Sequence, residues 1–113
     1  MNLPPDDRPA ILISAHATSE HIWRQVLLGI EEESIPWRWQ QDGDGDLAQR
    51  AWQAAARSPL LVGLACNGHE MVVHYRNLPA AQPLFRLRGQ QNEDALRRLG
   101  NNAARLVKGL PFK

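Results

Sequence analysis

Three consecutive glutamates, Glu31-Glu32-Glu33, are the residues of this 113-residue chain whose types and spacing carry the clearest chemical potential. The apolar spacing before them predicts a helix, so they fall in its last turn. The macrodipole is negative there, and each carboxylate costs about 0.3–1 kcal/mol where Lys, Arg or His would be expected. At about 100° per residue the three side chains fan apart, so no single ion can readily use all of them. Glu32 shares a helix face with Gln25 and Leu28. Two readings follow. Spacing alone favours a solvated acidic helix end. The alternative is a carboxylate that meets a cation, either a partner's arginine or a hard metal such as Mg²⁺, which uses only one or two carboxylates from any one source.

The other reactive residue types form no constellation. Asp42-Gly43-Asp44-Gly45-Asp46 resembles the start of a calcium loop, but the sixth position is Leu47 instead of Gly and the twelfth is Gln53 instead of Glu. A turn with Asp46 capping the next helix explains it better. His69 and His74 lie five apart in an expected hairpin and point to opposite faces. His16 and His21 flank a helix start, and His16 falls at the carboxyl edge of the sheet, where α/β folds bind ligands. A lone loop histidine is its plainer reading. Cys66 has no basic cluster beside it and reads as a buried, inert thiol. There is no GxGxxG, P-loop, GxSxG or HExxH. The residues point to a subunit or adaptor, not an enzyme.

The elements that must position these residues are legible. Ala10–Ala15 is an apolar strand, preceded by a loose arm, residues 1–9, that offers nothing to bury. Thr18 or Ser19 caps a helix carrying Ile22, Trp23, Val26, Leu27 and Ile30. Gly29 within that helix costs about 1 kcal/mol relative to Ala, which suggests either another backbone packed close or a tolerated defect. Pro36 ends the element, and Trp37–Gln40 alternates as a half-buried strand. A second helix runs from Leu47 to Ser58-Pro59 with Ala48, Ala51, Trp52 and Ala55 on its stripe. Leu60–Cys66 is apolar on both faces, as a central strand covered on both sides would be. Asn67-Gly68 predicts a hairpin with positive φ, returning as Glu70–Tyr75. Leu84–Leu87 is a short strand. A last helix spans about residues 91–108, with Gly109 as its cap.

The order β-α-β-α-β-β-β-α gives an α/β fold: three layers, α/β/α, around a mixed, mostly parallel sheet of about five strands, with residues 10–113 as one domain. Thirteen Lys and Arg against twelve Asp and Glu leave a formal charge of +1. That balance argues against nucleic-acid binding. One cysteine excludes an intrachain disulfide and suits a reducing cytosol. The longest apolar run, Leu60–Cys66, is far short of the ~20 residues a membrane helix needs. Four tryptophans belong mainly to the core or mark an interface. Arg97, Arg98, Arg105 and Lys108 on the last helix form a solvated face or meet an acidic partner.

At WRQVLLGIEEESIPWR, AWQAAARSPLLVGLAC, VVHYRNLPAAQPLF and above all GNNAARLVKGLPFK, the chain resembles the small (beta) subunits of diol dehydratase reactivase, over most of Ile22–Lys113. The small subunit of glycerol dehydratase reactivase is a more distant relative. The resemblance implies a non-catalytic subunit of an ATP-dependent chaperone. That chaperone frees damaged cobalamin from a coenzyme B12-dependent dehydratase by exchanging with the dehydratase's medium subunit. It implies a large partner subunit that binds ATP or ADP, a two-plus-two heterotetramer, and a transient contact with the dehydratase large subunit. It also implies a Mg²⁺ site shared with the large subunit and completed by the middle glutamate, Glu32, with Glu31 or Glu33 as fallback. Relatives commonly have Gly after the triplet, where this chain has Ser34. A left-handed cap is harder for Ser, so the aim of Glu32 is in question. A medium-subunit-like component of the dehydratase itself is the alternative. A cytoplasmic location is expected. Diol-type systems often reside in bacterial microcompartments, and no encapsulation peptide is evident.

Overall fold

The computed structural model describes residues 8–14, 20–41 and 43–113. Most of the expected arm, the Thr18/Ser19 cap, His16 and Asp42 lie outside the described residues. The element order is β1 (Ile11–Ser14), α1 (Glu20–Glu32), β2 (Trp37–Gln40), α2 (Leu47–Arg57), β3 (Val62–Cys66), β4 (Glu70–Tyr75), β5 (Phe85–Arg88) and α3 (Glu93–Lys108). Every expected element is present, in the expected order.

The five strands form one sheet in the order β2-β1-β3-β4-β5. β1 pairs in parallel with β2 and β3, and β4 pairs antiparallel with β3 and β5. The sheet is mixed, but its pairings divide evenly, so the expectation of a mostly parallel sheet is corrected. The reason is local: the connections after β3 and β4 are short, and neither is long enough for the crossover that parallel pairing needs.

α1 and α3 cover one face of the sheet. Their core unites Trp23, Val26, Leu27, Ile30, Leu96, Leu99 and Ala103 with Ile11, Ile13, Val62, Leu64, Met71 and Val73. α2 covers the other face through Leu47 and Ala51 against Ala65 and Val72. β3 is buried at every residue, as its two-sided apolar sequence requires. Gly63 lets α2 lie directly on it, because a Cβ there would run into the backbone of Ala51, Ala54 and Ala55.

Local chemistry sets the boundaries. Asp46 accepts from Gln49 N at 2.9 Å while the Gln49 side chain accepts from Asp46 N at 2.9 Å, a capping box that starts α2. β3 begins at Val62 rather than Leu60, because Ser58 Oγ and O hold Leu60 N and Leu61 N in a turn and Leu61 adopts φ 65°. The hairpin after β3 forms, but not with positive φ at Asn67 or Gly68. Instead Asn67 Oδ1 accepts from His69 N at 2.7 Å and Glu70 N at 2.8 Å, closing the turn with a side chain. His69 is exposed on that turn. His74 is buried, with Nδ1 accepting from Tyr75 N at 2.9 Å and Nε2 at 3.1 Å from Ala80 O, so it pins the loop before β5.

Candidate functional site

The end of α1 has no basic residue in its last turn. Its geometry is nonetheless orderly. Ser34 N donates to Glu31 O at 2.9 Å and Ile35 N to Ile30 O at 3.4 Å, while Ser34 adopts φ 65°. This is a Schellman motif with serine in the left-handed position usually given to glycine. Ile35 packs against the core that contains Ile30, which completes the motif. Ser34 therefore takes the capped geometry at a conformational cost. Ser34→Gly is expected to raise stability by about 1 kcal/mol, read as a higher urea midpoint with unchanged slope. A lower midpoint would mean the Ser34 side chain holds the turn.

The carboxylates are not simply solvated, because α3 brings the missing cations. Arg97 Nη1 donates to Glu32 Oε2 at 2.8 Å, and Asn101 Nδ2 donates to Glu32 Oε1 at 3.1 Å. Lys108 Nζ lies 3.1 Å from Glu33 Oε1 and donates to Glu33 O at 2.9 Å, and Arg105 Nε donates to Glu33 Oε2 at 3.4 Å. Glu31 points away from α3 and accepts from Trp37 Nε1 at 3.2 Å. The triplet thus fans as its sequence predicts, and each carboxylate has its own partner. Three of the four basic residues singled out on α3 serve Glu32 and Glu33 at the end of α1 in the same chain, which corrects their reading as a solvated face. Arg98 is the fourth and remains exposed.

These contacts shape the acidities. The Asn101 hydrogen bond, then the Arg97 guanidinium and the Lys113 ammonium, hold the Glu32 carboxyl below its ordinary value of 4.5 against the opposing effect of burial. Lys108, then Arg105, do the same for Glu33.

Glu32 owes its position to a close crossing of α1 and α3. A Cβ on Gly29 would strike Arg97 O, and one on Gly100 would strike Val26 O. Of the two readings of Gly29, close backbone packing is the one found. Asn101, 2% exposed, then reaches Gly29 O at 2.8 Å as well as Glu32. Lys113 Nζ donates to Asn101 Oδ1 at 3.2 Å, while Asn102 binds the Lys113 backbone through Lys113 N at 2.8 Å. Gln25 Oε1 takes Nε and Nη2 of Arg97. Asn101, Gln25 and Lys113 were not foreseen as site residues. Spacing gave one signal, a second mid-helix glycine followed by two asparagines beside an apolar stripe.

Could this end of α1 hold a cation? The Glu32 side chain is 49% exposed, and each of its oxygens accepts one hydrogen bond, which leaves each a further lone pair. Among the described residues no group of three or more His, Cys, Asp or Glu is placed to hold a metal ion. The donor set fits magnesium as a single hard oxygen ligand, with the remaining ligands from elsewhere. In the loop before α2, the Asp46 carboxylate is committed to its cap and the Asp44 backbone O accepts from Gln53 Nε2.

Comparison with known proteins places these features in context. The family model for the dehydratase medium subunit matches residues 8–113, a longer stretch than the blocks of resemblance noted above. The diol dehydratase-reactivating factor small subunit of Klebsiella michiganensis is 57% identical over 105 residues, covering 93% of this chain and 84% of that protein. The propanediol dehydratase-reactivating factor small subunit of Salmonella typhimurium is 56% identical, covering 93% and 90%. Among solved structures, the diol dehydratase-reactivating factor complexed with ADP and Mg²⁺ superposes with a TM-score of 0.89 at 56% identity, over 95% of this chain and 99% of that one. A glycerol dehydratase reactivase follows with a TM-score of 0.84 at 33% identity, over 93% and 96%.

Proposed function

This chain belongs to the dehydratase medium-subunit family, among the small subunits of the reactivating factors, and from that premise we propose that it is the non-catalytic half of an ATP-dependent reactivase. Its partner is a large subunit that carries the nucleotide, in a two-plus-two assembly. Its client is a coenzyme B12-dependent diol dehydratase, from which the complex releases damaged cobalamin. This chain exchanges with the medium subunit and transiently meets the dehydratase large subunit. The observation that carries the reading is the likeness, at 56% identity over nearly the whole chain, to a reactivating factor that binds ADP and Mg²⁺. A family model named for a dehydratase subunit supports the exchange. Two chains of one fold can present comparable surfaces to one partner. The assembly works in the cytoplasm or within a microcompartment, and no helix among the described residues is long and apolar enough to cross a membrane.

Within this reading Glu32 supplies one oxygen ligand to a Mg²⁺ shared with the large subunit, with Glu31 or Glu33 as the fallback. Glu32 is the best placed of the three. Glu33 is only 12% exposed and engaged by two cations, and Glu31 is turned toward Trp37. The metal would supply a charged bridge between subunits, while the α3 residues hold the carboxylate in its aim.

The test is light-scattering mass of this protein mixed with the cognate large subunit in ADP and MgCl₂. A two-plus-two complex is expected. Glu32→Gln should weaken the magnesium-dependent part of that association roughly tenfold or more, a loss typical of a perturbed metal site, with an unchanged circular dichroism spectrum. Equal association of wild type and variant at all magnesium concentrations would remove Glu32 from the interface. Binding to the dehydratase large subunit alone, with none to the reactivase large subunit, would favour a dehydratase component, the second reading that the family's name allows.

A further inference from the structure

Arg97 is bonded twice over. Its Nε and Nη2 rest on Gln25 Oε1, and only Nη1 reaches Glu32 Oε2. The guanidinium therefore has a seat on α1 that does not depend on Glu32. Its side chain is 34% exposed and borders a surface depression lined also by Asp94, Arg98, Asn101 and Lys113, so it has room to turn. Among the described residues Arg97 is the one cationic group bonded directly to Glu32, because Lys113 stops at Asn101. The neutral Asn101 amide, anchored on Gly29 O, holds the other oxygen.

The two oxygens of Glu32 are thus treated differently. One is oriented by an uncharged donor, and the other is neutralised by a charge that an incoming cation would meet as repulsion. We propose that Arg97 is a built-in counter-ion that occupies Glu32 in the lone subunit and sets how much divalent cation the association requires. Asn101 keeps the carboxylate aimed, and Gln25 receives the guanidinium as it lets go. This rests on the reading of Glu32 as a magnesium ligand. It adds that the site is tuned against its cation, so that the small subunit alone does not collect one.

The experiment is a MgCl₂ titration of association between the full chain and the large subunit, followed by fluorescence anisotropy with ADP present. Arg97→Met removes the charge and the fork. Arg97→Lys removes the fork and keeps the charge. Arg97→Met should lower the half-saturating magnesium concentration roughly fivefold, the upper end for a half-exposed charge pair. Arg97→Lys should stay within about twofold of wild type. If both variants shift alike, Arg97 acts only through packing and the proposal fails. It fails equally if Arg97→Met leaves the midpoint unchanged or raises it. Should Arg97→Met not fold, Arg97→Gln, neutral but still able to donate to Gln25, carries the same expectation. Glu32→Gln is run alongside. Retained magnesium dependence in that variant would overturn the ligand reading itself. Lost dependence together with no Arg97→Met shift would overturn the counter-ion alone.

Discussion

Gly100→Ala is expected to lower stability by about 3 kcal/mol, the upper part of the range for overpacking a core, and to reduce the melting temperature by roughly 15 °C for a chain of this size. The added methyl would overlap Val26 O and crowd Ile30 N, which belong to the backbone of α1 and have no rotamer to yield. Relief requires α3 to move away from α1, opening the core around Val26, Ile30 and Ala103. The same displacement draws Arg97 and Asn101 off Glu32. Gly68→Ala is the control, because nothing lies within 4 Å of a Cβ there. Calorimetry of the two variants decides the matter. A Gly100→Ala protein within about 0.5 kcal/mol of wild type, the ordinary range of surface substitutions, would mean that the crossing is looser than described.

The second large effect is at Trp23, the largest fully buried side chain. Its ring fills the space between α1 and the sheet, and its Nε1 donates to Asn67 O at 2.9 Å, 44 residues away. Trp23→Ala should cost about 4 kcal/mol, since it both removes apolar burial and leaves a cavity. Trp23→Phe keeps most of the ring but orphans Asn67 O, and should cost about 1–2 kcal/mol. Chemical denaturation gives both values. Equal losses for the two variants would assign the whole effect to the hydrogen bond and none to packing. Of the four tryptophans this one is wholly core. Trp52 donates to Arg76 O at 3.1 Å, and Trp37 and Trp39 meet edge to face on the edge strand with centroids 5.5 Å apart.

What the sequence disclosed, and what it hid, divides by range. Asp46 as a cap, Gly109 as the left-handed stop of α3 at φ 70°, and the two-sided burial of β3 all depend on neighbours within a few positions. All were legible. The even split of the sheet was half legible. The hairpin after β3 was foreseen, but the short return into β5 also had to be weighed against the parallel half. The hairpin's chemistry was misjudged, because Asn67 closes the turn with its side chain, an option the dipeptide alone does not distinguish from positive φ. The partners of the glutamates were illegible for a different reason. Arg97 stands 65 positions from Glu32 and Lys108 stands 75 from Glu33 O. A local reading can register that acids at a helix C-terminus are costly, but not which distant cations offset the cost. The resemblance to reactivase small subunits pointed to Glu32. It did not reveal Asn101 on Glu32 or Gln25 on Arg97.

That separation in sequence has a consequence for how the molecule comes into being. Arg97, the first of these cations, is synthesised 65 residues after Glu32, an interval of about 3–13 s at elongation rates of roughly 5–20 residues per second. Throughout it, the end of α1 carries three like charges at the wrong pole of a helix, with none of its cations yet synthesised. Only when α3 emerges and docks does the carboxylate acquire its aim. Until α3 is made and docked, a nascent chain therefore has no finished face at the end of α1.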